Sequence, residues 1–411
     1  MTGEYSLTLI KTKTVNHIPV SQRAKNTPAS PIRKLTPSAK KAKEKGVRVY
    51  HLNIGQPDFP APPEFLKQLK GFSQKEVTYA PSEGLSEMVD AWKTYYHSHA
   101  IPFEKEDIIV TTGGSEAILF ALMAVADPGD ELIIFEPLYT NYLTFAQETS
   151  VKLVPITTYL KNGFHIPNNP EIEKKITSKT KGIIICNPSN PTGTVYKRSE
   201  LKRIAEIAEK HNLFVISDEV YREFVFKVRS ISMMEFSFIR EQLVIIDSIS
   251  KRFNLCGARV GCLASKNKKI VEAALKFAQG RLASPTIEQL SAVPLLKNYR
   301  KYTKSVVEEY RKRKNAVISV LKTIPGVKFY LPEGAFYLIA ELPIRDAEYF
   351  CRWLLEEFQD QGETVMFAPA QGFYQTPQLG IKEIRIAFVL ESKKLKRSME
   401  ILKIALEEYK K

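Results

Sequence analysis

Leu243-Val-Ile-Ile-Asp-Ser-Ile-Ser-Lys-Arg-Phe-Asn-Leu-Cys-Gly-Ala-Arg-Val-Gly-Cys-Leu-Ala264 sets two apolar runs around a polar centre. Leu243 to Ile246 drives into the centre and Val260 to Ala264 leaves it, so residues 247–259 read as a loop between two buried strands. Within the loop, Lys251 follows two hydroxyl residues, Ser248 and Ser250, and precedes a fixed cation, Arg259. A lysine amine near another cation and partly removed from water gives up its proton more readily, as a lysine that bonds to a carbonyl carbon must. A chain with 60 Lys and Arg has many merely solvated lysines, so the surroundings of the loop have to decide its meaning.

Outward toward the N-terminus, the same pattern of apolar strand and polar loop recurs. Leu213-Phe-Val-Ile-Ser-Asp218 ends in a carboxylate that is costly there unless paired, and that also suits the cap of a following helix. Lys181 to Cys186 leads into Asn187-Pro-Ser-Asn-Pro-Thr-Gly193, and two Asn-Pro turns and a glycine directly after a strand are rarely needed for packing alone. Glu131 to Phe135 delivers Tyr139, an aromatic able to stack on a planar ring or to pack in a core. Asp107 to Thr112 runs into Gly113-Gly-Ser-Glu-Ala117, which opens a helix through Val125. Unpaired N–H groups and the helix dipole converge at such an N-terminus, so Gly114, Ser115 and Glu116 are candidates for a phosphate cradle. The spacing is not GxGxxG, which disfavours a dinucleotide.

Strands alternating with helices from about residue 60 to 320 predict an α/β fold with a mostly parallel, helix-covered sheet and a site at the strand C-terminal ends. Residues 266–321 read as long helices broken near Ser284-Pro285. Beyond Pro325, short strands and two helices over 347–360 and 393–408 predict a smaller α+β domain. The expected division is a basic arm and loop over 1–59, packing with the small domain, then 60–322 and 323–411. In the small domain Arg385 alternates with Ile384 and Ile386, a register that usually sends a charge to solvent. Gly55-Gln-Pro-Asp-Phe-Pro-Ala-Pro-Pro63 forms a rigid loop whose glycine lets a ligand approach the backbone.

Composition narrows the class. With 44% hydrophobic and 26% charged residues and no apolar run long enough to span a bilayer, the chain reads as soluble and globular, with no membrane partner. Its four cysteines, Cys186, Cys256, Cys262 and Cys351, lack CxxC spacing, which argues against a metal site or a disulfide framework and for a reducing cytoplasm. No signal-peptide pattern opens the chain. The net charge of +15 raises the question of nucleic acid, but residues 1–48 hold eleven Lys and Arg against Glu4 and Glu44. The excess therefore sits in the arm, read as solvated and partly flexible, without a helix-turn-helix pattern.

The pattern Ser-Lys-x-Phe-x-x-x-Gly-x-Arg-x-Gly at 250–261 resembles the cofactor-lysine motif of the class I aminotransferases, fold-type I pyridoxal phosphate enzymes of the aspartate aminotransferase type. The likeness runs from Asn53 to Arg385. It implies that Lys251 holds pyridoxal 5'-phosphate covalently and, once freed, acts as general base and acid. It further implies that Asp218 pairs with the protonated ring nitrogen, that Asn190 and Tyr221 bond the cofactor oxygen, and that Tyr139 stacks on the ring. Gly114, Ser115, Glu116, Ser248, Ser250 and Arg259 are then the phosphate site, which Tyr79 reaches across a homodimer interface. Gly55, Asn190 and Arg385 are the implied site for the substrate carboxylate. The implied reaction is a ping-pong transfer of an amino group from an L-amino acid, aspartate foremost, to a 2-oxo acid, 2-oxoglutarate foremost. Arg281 is the candidate for a distal carboxylate. Ala258 departs from the bulky aromatic common at its position, which leaves the side-chain pocket size open. A carbon–sulfur β-lyase shares this ring and lysine chemistry, and a cofactor-binding regulator with a basic arm is the reading from another class.

Overall fold

The computed structural model describes residues 18–73 and 75–409. Thirteen strands are formed among them: β1 (Arg48–His51), β2 (Ile108–Thr111), β3 (Glu131–Glu136), β4 (Lys152–Thr157), β5 (Thr180–Cys186), β6 (Phe214–Asp218), β7 (Leu243–Ser248), β8 (Gly261–Ala264), β9 (Lys328–Phe329), β10 (Tyr337–Glu341), β11 (Glu363–Met366), β12 (Ala368–Pro369) and β13 (Glu383–Ala387). Seven build the main sheet in the order β2-β8-β7-β6-β5-β3-β4. All seven point the same way except β8, which is antiparallel to both β2 and β7. The loop carrying Lys251 therefore links two neighbouring antiparallel strands, while every other connection that reaches the site is a crossover typical of a parallel sheet.

The sheet is apolar on both faces because helices cover both. One face packs Ile108, Val110, Ile133, Ile183, Val215 and Ile245 against Trp92, Tyr95, Leu201 and Leu295. The other packs Ile109, Leu132, Ile184, Val244 and Leu263 against the helix Gly113–Val125 and the helix Lys268–Arg281. Near-continuous apolar strands of this kind were readable as buried, and six of the seven follow the expected runs. The exception is β4, whose Pro155 interrupts the strand signal; β4 is an edge strand, where a proline costs no ladder bond.

A four-stranded antiparallel sheet, β12-β13-β10-β9, and the parallel pair β1-β11 form a second centre with its own core around Phe336, Leu338, Phe350, Leu354, Ile384 and Leu402. The arm corrects one expectation. Residues 1–17 lie outside the described residues, but the helix Thr36–Glu44 is not a solvated tail: Leu35, Ala39 and Ala42 are buried in that second core. These three positions make a narrow apolar stripe at helical spacing, with the lysines on the opposite face. Among the described residues no helix is long and apolar enough to cross a membrane.

Candidate active site

The strand ends converge on a cleft of about 200 Å³ where the main sheet meets the second centre. Gly55, Gly114, Ser115, Tyr139, Asn190, Asp218, Tyr221, Ser248, Ser250, Lys251, Arg259 and Arg385 all line it. Strands of equal direction end at one edge of a sheet, so residues far apart in sequence meet there without any local signal joining them.

Lys251 sits on the single helical turn Ile249–Arg252, directly after β7. Its Nζ donates to the Gly55 carbonyl at 3.1 Å and lies 3.7 Å from the Cys256 Sγ. The turn is held from below, because the buried Arg252 pairs with the buried Asp247 at 2.6 Å and stacks 4.2 Å from the Tyr95 ring. On its near side Ser248 and Ser250 bond each other through their hydroxyls at 2.8 Å. Arg259 completes that corner, in the left-handed region at φ 53°. This conformation costs a non-glycine residue energy that the fold recovers only by placing its side chain. The guanidinium donates to the carbonyls of Cys256 at 3.1 Å and Thr112 at 3.2 Å. Gly113, at φ +74°, leaves room for it: an added Cβ would come within 2.6 Å of Arg259 Nη2.

Asp218 ends β6 with 4% exposure. It accepts from the Tyr142 hydroxyl at 2.7 Å and from the Val220 N–H at 3.3 Å. Burial pushes its carboxyl up to about 6, against the pull of the Tyr142 hydrogen bond. Tyr221 meets Tyr337 hydroxyl to hydroxyl at 2.9 Å. Burial first, and the Tyr337 oxygen second, raise its phenol well above the usual value.

Arg385 does not project to solvent. It is 1% exposed, with Nη1 donating to Asn190 Oδ1 at 3.0 Å and Nη2 to the Asn53 carbonyl at 2.5 Å. Its Nε has no partner, and it forms no ion pair among the described residues. Tyr337 and Phe373 give it aromatic faces 4.7 and 4.9 Å away. A buried cation with no carboxylate is strongly unfavourable until an anion joins it, so this end of the cleft is built for an anionic ligand.

Three predicted residues lie elsewhere. Glu116 does not face the cleft: its carboxylate accepts the Thr112 N–H at 2.8 Å and pairs with Arg281 at 3.2 Å, capping its own helix. A carboxylate would in any case repel phosphate, and the small residues before it supply the N–H groups. Arg281 is spent on that pair and on the Val110 carbonyl, so it does not reach the cleft. Tyr79 is 78% exposed and lies outside the cleft. Ala258 packs in the core and does not line the cleft. The sequence reading passed over Tyr337, Tyr142 and Arg33. None of the three had a usable signal: Tyr337 shares a strand face with Ile339, which stands opposite Arg385, but that register is set by the β10-β13 pairing.

The donor set fits one kind of cofactor. Two hydroxyls, a guanidinium and a helix N-terminus suit a dianionic phosphate, a buried carboxylate suits a protonated ring nitrogen, and a lysine at the centre suits a covalent link to a carbonyl group. The fold and the site together define a fold-type I pyridoxal phosphate enzyme. The sequence profile of aminotransferase class I and II matches residues 47–397, and the chain belongs to that family. It is a pyridoxal phosphate-dependent aminotransferase. Aspartate aminotransferase of Thermotoga maritima is 34% identical over 342 residues, 82% of this chain and 89% of its own. A crystal structure of that protein superposes with a TM-score of 0.86 at 31% identity, over 94% of this chain and all of the other. Alanine aminotransferase from Pyrococcus furiosus reaches the same TM-score at 27% identity, over 95% of this chain and 100% of its own.

Proposed function

We propose that the enzyme moves the amino group of aspartate to 2-oxoglutarate by a ping-pong reaction in the cleft around Lys251. The observation that carries the reading is the meeting of Lys251, Asp218 and the unpaired Arg385 in one cleft. When bound, pyridoxal phosphate supplies the electron sink that makes the substrate Cα proton acidic. Arg385 and Asn190 bind the α-carboxylate, which fixes the Cα relative to Lys251. Lys251, freed from its covalent role, takes the Cα proton at Nζ and later returns it. Asp218 holds a positive charge on the ring nitrogen, and Tyr221, backed by Tyr337, donates to the cofactor oxygen. Gly114, Ser115, Ser248, Ser250 and Arg259 hold the phosphate. Aspartate is taken as donor because of the likeness to named aspartate aminotransferases, with alanine the alternative that the Pyrococcus likeness raises.

The working form is proposed to be a homodimer in the cytoplasm. Val77, Tyr79 and Leu282 are 61%, 78% and 52% exposed on loops tied together by Ser82 Oγ to the Leu282 carbonyl and Thr286 Oγ1 to the Thr78 carbonyl. An apolar face of this kind suits a second copy, and Tyr79 would then serve the phosphate of its neighbour. The four free thiols suit a reducing compartment. The smaller unit is proposed to begin before residue 322, since its core takes in Tyr310, Val317, Ile318 and Leu321 as well as Leu35 of the arm.

Steady-state kinetics with aspartate, glutamate and alanine against 2-oxoglutarate, alongside sedimentation velocity, test the reading. Parallel double-reciprocal lines with aspartate as the best donor, from a dimer, are expected. Pyruvate, ammonia and a thiol formed from a β-thioether amino acid without an oxo acid, with no transamination of aspartate, would contradict it.

A further inference from the structure

We propose that Asp247 and Arg252, wholly buried beneath the single helical turn that carries Lys251, are positioning residues that set the direction of the lysine amine for proton transfer. This rests on the reading of Lys251 as the base. Neither side chain lines the cleft, and no step of the reaction as derived uses either. Both are 0% exposed. That is a poor way to hold a fold alone, because an apolar pair of the same volume fills the space without the loss of hydration.

A helix of four residues makes too few hydrogen bonds to keep its own shape. The turn Ile249–Arg252 is instead closed by one atom. Asp247 Oδ1 accepts the Ser248 N–H at 2.7 Å and Arg252 Nη2 at 2.6 Å, so a single carboxylate oxygen grips the chain both before and after Lys251. The other oxygen lies 3.7 Å from Arg222 Nη1, a second buried cation that is itself held on Glu219. On its far side the Arg252 guanidinium lies 4.2 Å from the Tyr95 ring and 5.5 Å from the Trp92 ring, both on the helix Ser86–His97. Tyr95 is in turn fixed by its hydroxyl, which donates to Glu223 at 2.6 Å. The ion pair and the aromatic rings together leave Arg252 one direction. The four-carbon stem of a lysine is flexible, so the aim of its amine comes from the backbone beneath it. Consecutive helical residues point about 100° apart. A fixed Arg252 in the core therefore turns Lys251 toward the cleft, where its Nζ meets the Gly55 carbonyl.

The test uses the holoenzyme, with R252M, R252K and D247N/R252M beside the wild type. kcat and KM for aspartate are measured with the isotope effect for aspartate deuterated at Cα, and the melting temperature of each protein is recorded. In R252M kcat is expected to fall roughly tenfold to hundredfold while KM changes by less than about twofold, as misplacement of a reacting group predicts. The isotope effect is expected to rise, because proton transfer then limits turnover, and R252K to recover part of kcat. D247N/R252M leaves no unpaired charge from this pair and is expected to keep the loss; it carries the same comparison where R252M does not fold. Full recovery in the double variant would overturn the assignment, since an unpaired buried charge and not lost aim would then explain R252M. A lower melting temperature with unchanged kcat and isotope effect would overturn it too, leaving the pair purely structural. In Lys251→Ala, added ethylamine supplies an untethered base, so R252M in that background is expected to leave the ethylamine-driven rate within about twofold. A loss there equal to that in the tethered enzyme would contradict a role acting through Lys251. Lys251→Ala that transaminates at the wild-type rate without added amine would instead overturn the reading of Lys251 itself.

Discussion

Asp218 closes an apolar strand with a carboxylate that burial holds at about 6 instead of the ordinary 3.8. Without cofactor, the native chain keeps a proton there over a range in which the unfolded chain has lost it. Rising pH between those values therefore removes stability, and above about 6 the full cost of the buried charge remains. Cofactor-free Asp218→Asn lacks this titration. Its melting temperature, measured from about pH 4 to about pH 7 by calorimetry, is expected to fall less than that of the wild type. Turnover of the loaded enzyme should drop by roughly a hundredfold or more. Parallel stability profiles would show that the carboxylate is better solvated than its surroundings indicate. At this scale the sequence was legible where a reactive residue follows a strand, as Asp218, Asn190 and Lys251 do. It misled at Glu116, whose side chain points to its own helix cap and not to the cleft. It was silent at Arg33, because nothing in a Lys-rich arm marks the one cation that lines the cleft.

The helix Gly113–Val125 shows the same division of labour within one element. Its first residues leave N–H groups free at the cleft, while Glu116 holds the Thr112 N–H and Arg281 and so keeps the first turn wound. Glu116→Ala is expected to lower unfolding free energy by about 1–2 kcal/mol in urea titrations, the cost of a lost cap and a part-buried pair. Affinity for pyridoxal phosphate should change by less than about twofold, since no side chain leaves the phosphate corner. A large loss of affinity at unchanged stability would return Glu116 to the cradle. Other elements were legible in proportion to how far one rule governed them. The fully buried strands needed only apolar runs, whereas β4 at the sheet edge was hidden by Pro155, and the helices of 268–321 carry a second break at Asn298, four residues after Pro294, that the sequence reading did not place. The antiparallel β8 could not be read from its sequence, because pairing direction depends on the neighbours and leaves no trace in a four-residue apolar run.

Across the molecule, the arm, the main sheet and the second centre meet at the cleft, and each contributes a charged group to it: Arg33, Lys251 and Arg385. The arm is part of the folded body from Leu35 onward, so Ala39→Asp is expected to destabilise by about 2–4 kcal/mol in urea unfolding. A solvated tail would tolerate the same change within about 0.5 kcal/mol. Charge counting had placed the arm in solvent because its lysines outnumber the three small or apolar residues that bury it. The fold class was legible from the alternation of strands and helices, and the cleft from where the strands end. The contacts that join the arm to Arg385 through Asn53 were not, since one of them links residues 332 positions apart. The most direct test of the whole account is the visible absorbance of the protein with pyridoxal phosphate, for wild type and Lys251→Ala, before and after aspartate is added. The account predicts a band from the lysine-bound cofactor in the wild type, shifting to the amine form of the cofactor with aspartate, and no such band in Lys251→Ala. The same band in both proteins would contradict the role given to Lys251.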